Sequence, residues 1–91
     1  MKKKIDNKII KGIITPSSWK NGDVDEISIQ TTEEEEYIVD LNETGREMFS
    51  FLHYPVEVSG RIKQRLLDGK KMISVRKCVT IIVENNEELF Y

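Results

Sequence analysis

Side chains with catalytic or metal-binding potential are few in this sequence. His53 is the single histidine, Cys78 is the single cysteine, and four glutamates occupy positions 33–36. A histidine beside a helix end is typically a solvated partner of the helix dipole, and Cys78 has no neighbouring positive pattern that would mark a reactive thiolate. Four consecutive glutamates lack the alternating ligands and the turn glycine of a calcium loop. The sequence therefore predicts a non-enzymatic protein with no catalytic residue, metal site or cofactor.

Cationic side chains at alternating positions indicate a different chemistry, which is contact with a polyanion. Arg61, Lys63 and Arg65 fall on one side of a predicted strand, and Arg76 falls across from them. Nucleic-acid-binding proteins neutralise phosphates with such residues. The same row is typical of the wet side of a hairpin, where long stems cover apolar surface while the charges stay in water. A third interpretation is that this row contacts an acidic protein.

Length and composition describe one small globular domain covering residues 1–91. The chain is 38% hydrophobic and 33% charged, as in folded proteins. No apolar run approaches the ~20 residues that cross a bilayer, and the start lacks the features of a secretory signal. We therefore expect no membrane partner. Because a lone cysteine cannot form an internal disulfide, we also expect a cytoplasmic protein.

Charge is distributed unevenly along the chain, although its net value is only −2. Residues 1–20 contain six lysines and one aspartate, whereas residues 21–50 contain ten acidic residues against Arg46 alone. Residues 55–77 then contain seven cations against Glu57 and Asp68. Such asymmetry bears on partners, not on the fold.

Local patterns predict three strands in the first half of the chain. The first covers 5–15, with Ile10, Gly12 and Ile14 on one side, Ile9 and Ile13 on the other, and a bulge or tight bend at Gly12. Turn residues follow, with Asn21-Gly22 as a hairpin signal. The second and third strands cover 26–31 and 36–41, and the acidic run connects them.

A short helix is predicted next. Thr44 and Glu47 fit a capping box, and Pro55 disfavours helix at Tyr54, so the helix should stop near His53 after about nine residues. At the other end of the chain, residues 84–91 are expected to form an acidic, fraying end whose Leu89, Phe90 and Tyr91 fold back onto the body.

A long hairpin is predicted in the last third of the chain. If Asp68-Gly69 is a two-residue turn, residues pair when their numbers sum to ~137, which matches Ile62 with Val75, Val58 with Val79, and Val56 with Ile81 on the inner side. Gly60 falls opposite Lys77, where a bend or bulge is expected. The outer side then places Arg61 across from Arg76, a like-charge pair.

The segments "KGIITPSSW", "EEYIVDLNETGREMFSFL" and "VEVSGRIKQ" are similar to small bacterial domains of the oligonucleotide/oligosaccharide-binding (OB) type. Three strands, a short helix and a two-stranded hairpin also resemble the OB element order. The resemblance implies a mainly β, five-stranded antiparallel OB-type barrel with one short α-helix between strands 3 and 4; an open α+β sheet is the alternative.

The resemblance also implies a ligand site across strands 2 and 3. Its face would use Ser28, Gln30, Tyr37 or Ile38, and Asp40, edged by Trp19, Lys20, Lys70 and Lys71. Alternatively, Trp19 covers one end of the barrel as a lid.

Two functions follow from these patterns. In the first, the domain binds single-stranded DNA or RNA through Trp19, Lys20, Lys70 and Lys71, while Arg61, Lys63, Arg65 and Arg76 touch phosphates. In the second, it is an interaction or structural module whose acidic centre contacts a basic protein partner. The OB resemblance favours the first, and the many carboxylates near the site favour the second.

Overall fold

The protein, described as a computed structural model over residues 7–81, contains five strands and a short helical segment. The predicted acidic end at 84–91 lies outside the described residues. The strands are β1 (Asn7–Lys20), β2 (Asp23–Thr31), β3 (Glu36–Val39), β4 (Pro55–Gln64) and β5 (Lys71–Thr80). Helix α1 (Glu43–Glu47) and a 3₁₀ turn (Met48–Phe51) lie between β3 and β4.

The strands close into a barrel in the order β1-β2-β3-β5-β4. This confirms the mainly β barrel with one short helix between the third and fourth strands, and it is compatible with an OB-like fold. The expectation of an antiparallel sheet is wrong at one pairing, because β3 runs parallel to β5 through Ile38–Met72 and Val39–Ile73. The sheet is therefore mixed.

Alternation along β1 separates a buried side from an exposed one, as predicted. Ile10, Gly12 and Ile14 are buried, whereas Ile9 and Ile13 are exposed. Gly12 causes no register shift, so the predicted bulge there is absent. Instead, a Cβ at position 12 would overlap the carbonyl oxygen of Gln30, which means that this glycine permits close approach of β2.

The first strand continues to Lys20 and does not give way to a loop after position 15. Beyond Ile14, β1 pairs only with β2, so Pro16 sits where a missing backbone donor is tolerated. Register shifts on either side of Ser18 absorb the irregular sequence. The Asn21-Gly22 turn is confirmed: both residues have positive φ, as a two-residue hairpin turn requires.

Asn42, and not Thr44, caps the helix. Its side-chain oxygen accepts a hydrogen bond from the Gly45 N–H at 2.8 Å, and its amide donates to the Val75 carbonyl at 3.3 Å. The predicted capping box at Thr44 is therefore wrong, because a better cap two residues earlier starts the helix sooner. The helical residues end at Phe51, close to the predicted stop.

The β4–β5 register differs from the prediction. Ile62 pairs with Ile73, Val58 with Cys78 and Val56 with Thr80. The connection is a longer turn over 66–69, closed by a hydrogen bond from the Gly69 N–H to the Arg65 carbonyl at 2.7 Å, so the two-residue turn at Asp68-Gly69 is wrong.

A bulge also changes the register between β4 and β5. Ser59 pairs with Lys77 but Gly60 pairs with Val75, which leaves Arg76 as the extra residue. The bend expected at Gly60 is confirmed. Arg61 consequently faces Ser74 and not Arg76, and Val79 lies on the outer side, not in the core.

The core lies inside the barrel, where aliphatic side chains from every strand meet Met48 of the 3₁₀ turn. Its buried members are Ile10, Ile14, Ile27, Ile29, Val39, Met48, Val56, Val58, Ile73 and Val75. Within residues 7–81, no helix is long and apolar enough to cross a membrane.

Candidate ligand-binding surfaces

Arg65 joins the β4–β5 loop to the end of β2. Its guanidinium donates to Glu26 Oε2 at 2.6 Å and to both carboxylate oxygens of Asp68, at 2.9 and 3.2 Å. These hydrogen bonds hold the pKa of Asp68 well below its usual range, at about 2, with help from the Lys70 N–H. Arg65, a predicted phosphate ligand, thus clamps the β4–β5 loop to β2.

The clamp fixes the loop without help from its two leucines. Leu66 is 99% exposed and Leu67 is 83% exposed. The loop backbone is held instead by the Arg65 N–H, which donates to the Lys70 carbonyl at 2.8 Å, and by the Gln64 amide, which donates to the Gly69 carbonyl at 3.0 Å. An ordered loop therefore presents two apolar side chains and Lys70 to solvent.

The outer side of β2 and β3 has a closed centre. Ser28 and Ile38 are both buried, and the Ser28 hydroxyl donates to Glu36 Oε2 at 2.9 Å. Lys63 lies 3.0 Å from Asp40 in an ion pair at the edge of this face. Gln30 is the exposed residue among those predicted at the centre of the face. The middle of the face therefore offers few accessible polar groups.

Tyr37 lies on the inner side of β3, where it packs partly against the core. Its hydroxyl donates to Glu35 Oε1 at 2.7 Å, which raises the pKa of Tyr37 and lowers the pKa of Glu35. The Lys71 ammonium lies 5.5 Å from the ring centroid and 3.7 Å from Glu35 Oε2. Of the alternatives Tyr37 and Ile38, the structure thus assigns Ile38 to the outer face.

A depression of about 370 Å³ opens beside Tyr37 at that end of the barrel. Lys8 and Lys11 line it together with Glu33 and Glu35. Because both signs of charge are present and Glu35 already has two partners, the depression selects no simple ligand class. It lies at the opposite end of β2 from the Asn21-Gly22 turn.

Trp19 and Lys20 occupy the end of β1 at this turn. Trp19 is 59% exposed and is not among the residues packed against the core, so it does not form a lid over the barrel. Lys20 and Lys70 are exposed and have no carboxylate within ion-pair distance among residues 7–81. Ser18, beside Trp19, pairs with Glu26, and Glu26 holds Arg65. The end of the β1–β2 hairpin that carries Trp19 and the β4–β5 loop that carries Lys70 are therefore linked through β2.

Arg61 and Arg76 lie apart from this group. Arg61 is on the outer side of β4, between Asn7 of β1 and Ser74 of β5. The structure thus divides the ten predicted site residues into three sets. The accessible set, on β1, β2 and the β4–β5 loop, consists of Trp19, Lys20, Gln30 and Lys70. The set held by carboxylates consists of Lys63, Arg65, Lys71 and Tyr37. The third set, on the strands β4 and β5, consists of Arg61 and Arg76.

Sequence reasoning missed the partners that hold the cations in place. Glu26 lies 39 positions from Arg65, and Asp40 lies 23 positions from Lys63, so no local pattern links them. It also passed over Lys11 and Lys77, which lie on the outer sides of β1 and β5. For Lys11 a signal existed, because it stands between Ile9 and Ile13 on the predicted outer side.

Cys78 lies on β5, and His53 lies between the 3₁₀ turn and β4. Cys78 is half-buried against the core, and burial raises the pKa of its thiol. His53 has a positive φ of 71°, and its N–H donates to the Ile14 carbonyl at 2.7 Å. Within the described part of the chain, no three His, Cys, Asp or Glu residues are grouped to hold a metal ion.

Comparison of the sequence with known family models and with curated proteins found no match.

Proposed function

We propose that this protein is a non-enzymatic, OB-fold binding module for single-stranded nucleic acid, which it contacts with the end of the β1–β2 hairpin and the β4–β5 loop. The barrel order, the parallel β3–β5 pair and the helix between β3 and β4 support the OB assignment. The ligand class is supported by the accessible groups on the loops.

The single observation that carries the proposal is the exposed Trp19 beside Lys20, on a hairpin linked to the Lys70 loop. An exposed indole is a platform on which a base stacks, with a gain of about 1–3 kcal/mol per base. Lys20 and Lys70 supply two cations for phosphates. Because the Arg65–Glu26 ion pair already fixes the β4–β5 loop against β2, little ordering is needed on binding.

Fluorescence titration with oligothymidylate and oligouridylate at low salt tests this proposal. Binding should quench Trp19, the only tryptophan. A Lys20→Glu/Lys70→Glu variant should bind at least tenfold more weakly, and the slope of log K against log salt should become shallower by about 1.4, since each phosphate contact on a single strand contributes ~0.7.

The matched control is Lys8→Glu/Arg46→Glu, which makes the same change in charge on exposed residues away from the loops. It should retain most of the affinity. Absence of any fluorescence change at low salt with both oligonucleotides would rule the proposal out, and equal losses in the two double variants would show that only net charge matters.

The acidic connection between β2 and β3 supports a second candidate, a basic protein partner. Thr31 Oγ1 accepts hydrogen bonds from the Glu33 and Glu35 N–H groups at 3.2 and 3.1 Å, so the loop is ordered. Glu33 and Glu34 are exposed, whereas Glu35 is held by Tyr37 and Lys71. A partner captured from cell extract should be lost by Glu33→Lys/Glu34→Lys and kept by Asp23→Lys/Asp25→Lys; retention by both variants would exclude this loop.

A further inference from the structure

The outer side of β1, β4 and β5 forms a second surface, away from Trp19 and the β2–β3 face. Alternation sends Ile9, Lys11 and Ile13 of β1 to this side, and their partners on β4 continue the rows. The rows across the three strands are Asn7–Arg61–Ser74, Ile9–Ser59–Lys77 and Lys11–Glu57–Val79. We call this surface the β1–β4–β5 face.

Positive charge dominates the β1–β4–β5 face. Lys11, Arg61 and Lys77 lie on it, and Glu57 is the one carboxylate in the three rows. Arg76, the extra residue of the bulge, adds a fourth exposed cation next to Lys77. Among residues 7–81, none of these four cations has a carboxylate within 4.0 Å, unlike Lys63, Arg65 and Lys71.

A shallow groove of about 220 Å³ crosses the face. The small side chain of Ser59 lies low on β4, between Ile9 on one side and Lys77 on the other. Ile9 is 67% exposed and Val79 is 46% exposed, so the groove offers apolar contact area to solvent, and Glu57 and Lys77 line it as well. The face therefore combines apolar contact area with a cationic rim.

We propose that the β1–β4–β5 face binds an extended acidic segment of another protein. An apolar side chain of that segment enters the groove between Ile9 and Val79. Carboxylates of the same segment contact Lys11, Lys77 and Arg61. This function is additional to the proposed nucleic-acid binding, because it uses other residues on another side of the barrel.

Charge and composition select this partner over two alternatives. A second copy of the chain, docked symmetrically, would place the cations of one face against those of the other. A nucleic acid would satisfy the cations, yet its phosphates gain nothing from Ile9 and Val79, and the three rows contain no aromatic side chain for stacking. An acidic peptide with apolar residues uses both features.

Chemical-shift titration of the whole chain with a synthetic blocked peptide, in which glutamates flank two leucines, tests the proposal. The amide signals of Ile9, Ser59 and Val79 should shift, and a peptide with glutamine in place of glutamate should bind much more weakly. Lys77→Glu should weaken binding about tenfold, the effect of reversing one rim charge. Ile9→Ser should weaken it by removing a groove wall.

Arg46→Glu is the matched control, with the same change in charge at an exposed residue of α1 outside the three rows, and it should leave peptide affinity unchanged. The proposal is overturned if the peptide shifts none of these signals at millimolar concentration, or if the glutamine peptide binds equally well. Oligothymidylate shifting the same signals while the peptide does not would make the face a phosphate surface and overturn it too. Trp19 quenching reports the nucleic-acid proposal separately, so either can fail alone.

Discussion

Arg65, which the sequence predicts to contact phosphates, instead binds two carboxylates of the protein itself. Its planar fork matches a carboxylate in two-point geometry, and the bidentate contact with Asp68 uses that match. The third contact, to Glu26, lies where both side chains are largely shielded from water. An arginine engaged in this way is a poor phosphate ligand, because a phosphate would have to displace two carboxylates.

Acid titration tests this clamp. Because the folded-state pKa of Asp68 is about 2, below its usual value of ~3.9, the Asp68–Arg65 contact stabilises the fold above the usual value. That stabilisation is lost as the pH falls through the folded-state pKa. Nuclear magnetic resonance titration should find the low pKa in the native chain and a value in the ordinary range in Arg65→Gln.

The same contact should appear in unfolding experiments. The free energy of unfolding in urea should fall less steeply with acid in Asp68→Asn than in the native chain. Asp23→Asn serves as control, because Asp23 is exposed and makes no side-chain hydrogen bond within residues 7–81. An ordinary pKa for Asp68 in the native chain would contradict the clamp.

At the scale of elements, Gly60 determines how β4 and β5 meet. A Cβ at position 60 would overlap the Ser74 carbonyl oxygen and press on the Val75 Cα, so only glycine permits the close approach of the two backbones. The bulge at Arg76 follows directly and changes which β5 residues point inward. As a result, Cys78 is half-buried, and Val79 lies on the outer side, where it lines the groove.

The Asn42 cap of α1 is a second feature at the scale of elements, and substitutions can test its contribution to stability. Asn42→Ala removes the acceptor for the Gly45 N–H and the amide that reaches Val75, and should cost about 1–2 kcal/mol of unfolding free energy. Thr44→Ala, which removes a hydroxyl inside the helix, should change stability by less than about 0.5 kcal/mol. Denaturant unfolding of both variants measures the difference; a larger loss in Thr44→Ala would restore the capping box.

At the scale of the whole molecule, barrel closure gives β1, β4 and β5 one buried and one solvent-facing side, whereas the centre of β2 and β3 is buried on both sides. Closure requires β1 to pair with both β2 and β4, and β3 to pair with β5. The outer sides then differ in charge: carboxylates hold most cations near β2 and β3, while those on the β1–β4–β5 face have no such partners among residues 7–81. The proposed acidic peptide follows from this division, whereas the proposed nucleic acid follows from the exposed Trp19, Lys20 and Lys70.

Neighbouring isoleucines on β1 test the barrel interior. Ile14→Ala should cost about 2–5 kcal/mol of unfolding free energy, because Ile14 is fully buried and the barrel cannot collapse around the gap. Ile13→Ala, on the exposed side of the same strand, should cost well under half as much. Equal losses would mean that the inner and outer sides of β1 are not distinguished as described.

Local sequence by itself determined the sidedness of β1, the Asn21-Gly22 turn and the helix stop before Pro55. Each depends on neighbouring residues: alternation has a period of two, a two-residue turn needs positive φ, and proline restricts the residue before it. The bend at Gly60 was also predictable, since a glycine inside a strand marks a bulge or a close backbone approach.

Only the tertiary structure decided the strand order, the parallel β3–β5 pair and the register after the bulge. It also decided which cations are held by carboxylates, since Glu26 and Arg65 meet only when the barrel closes. Partners far apart in the chain are selected by packing and by the geometry of closure, and a local pattern contains no record of either. The alternating cations were visible in the sequence, but their division into internal ion pairs and an accessible face was not.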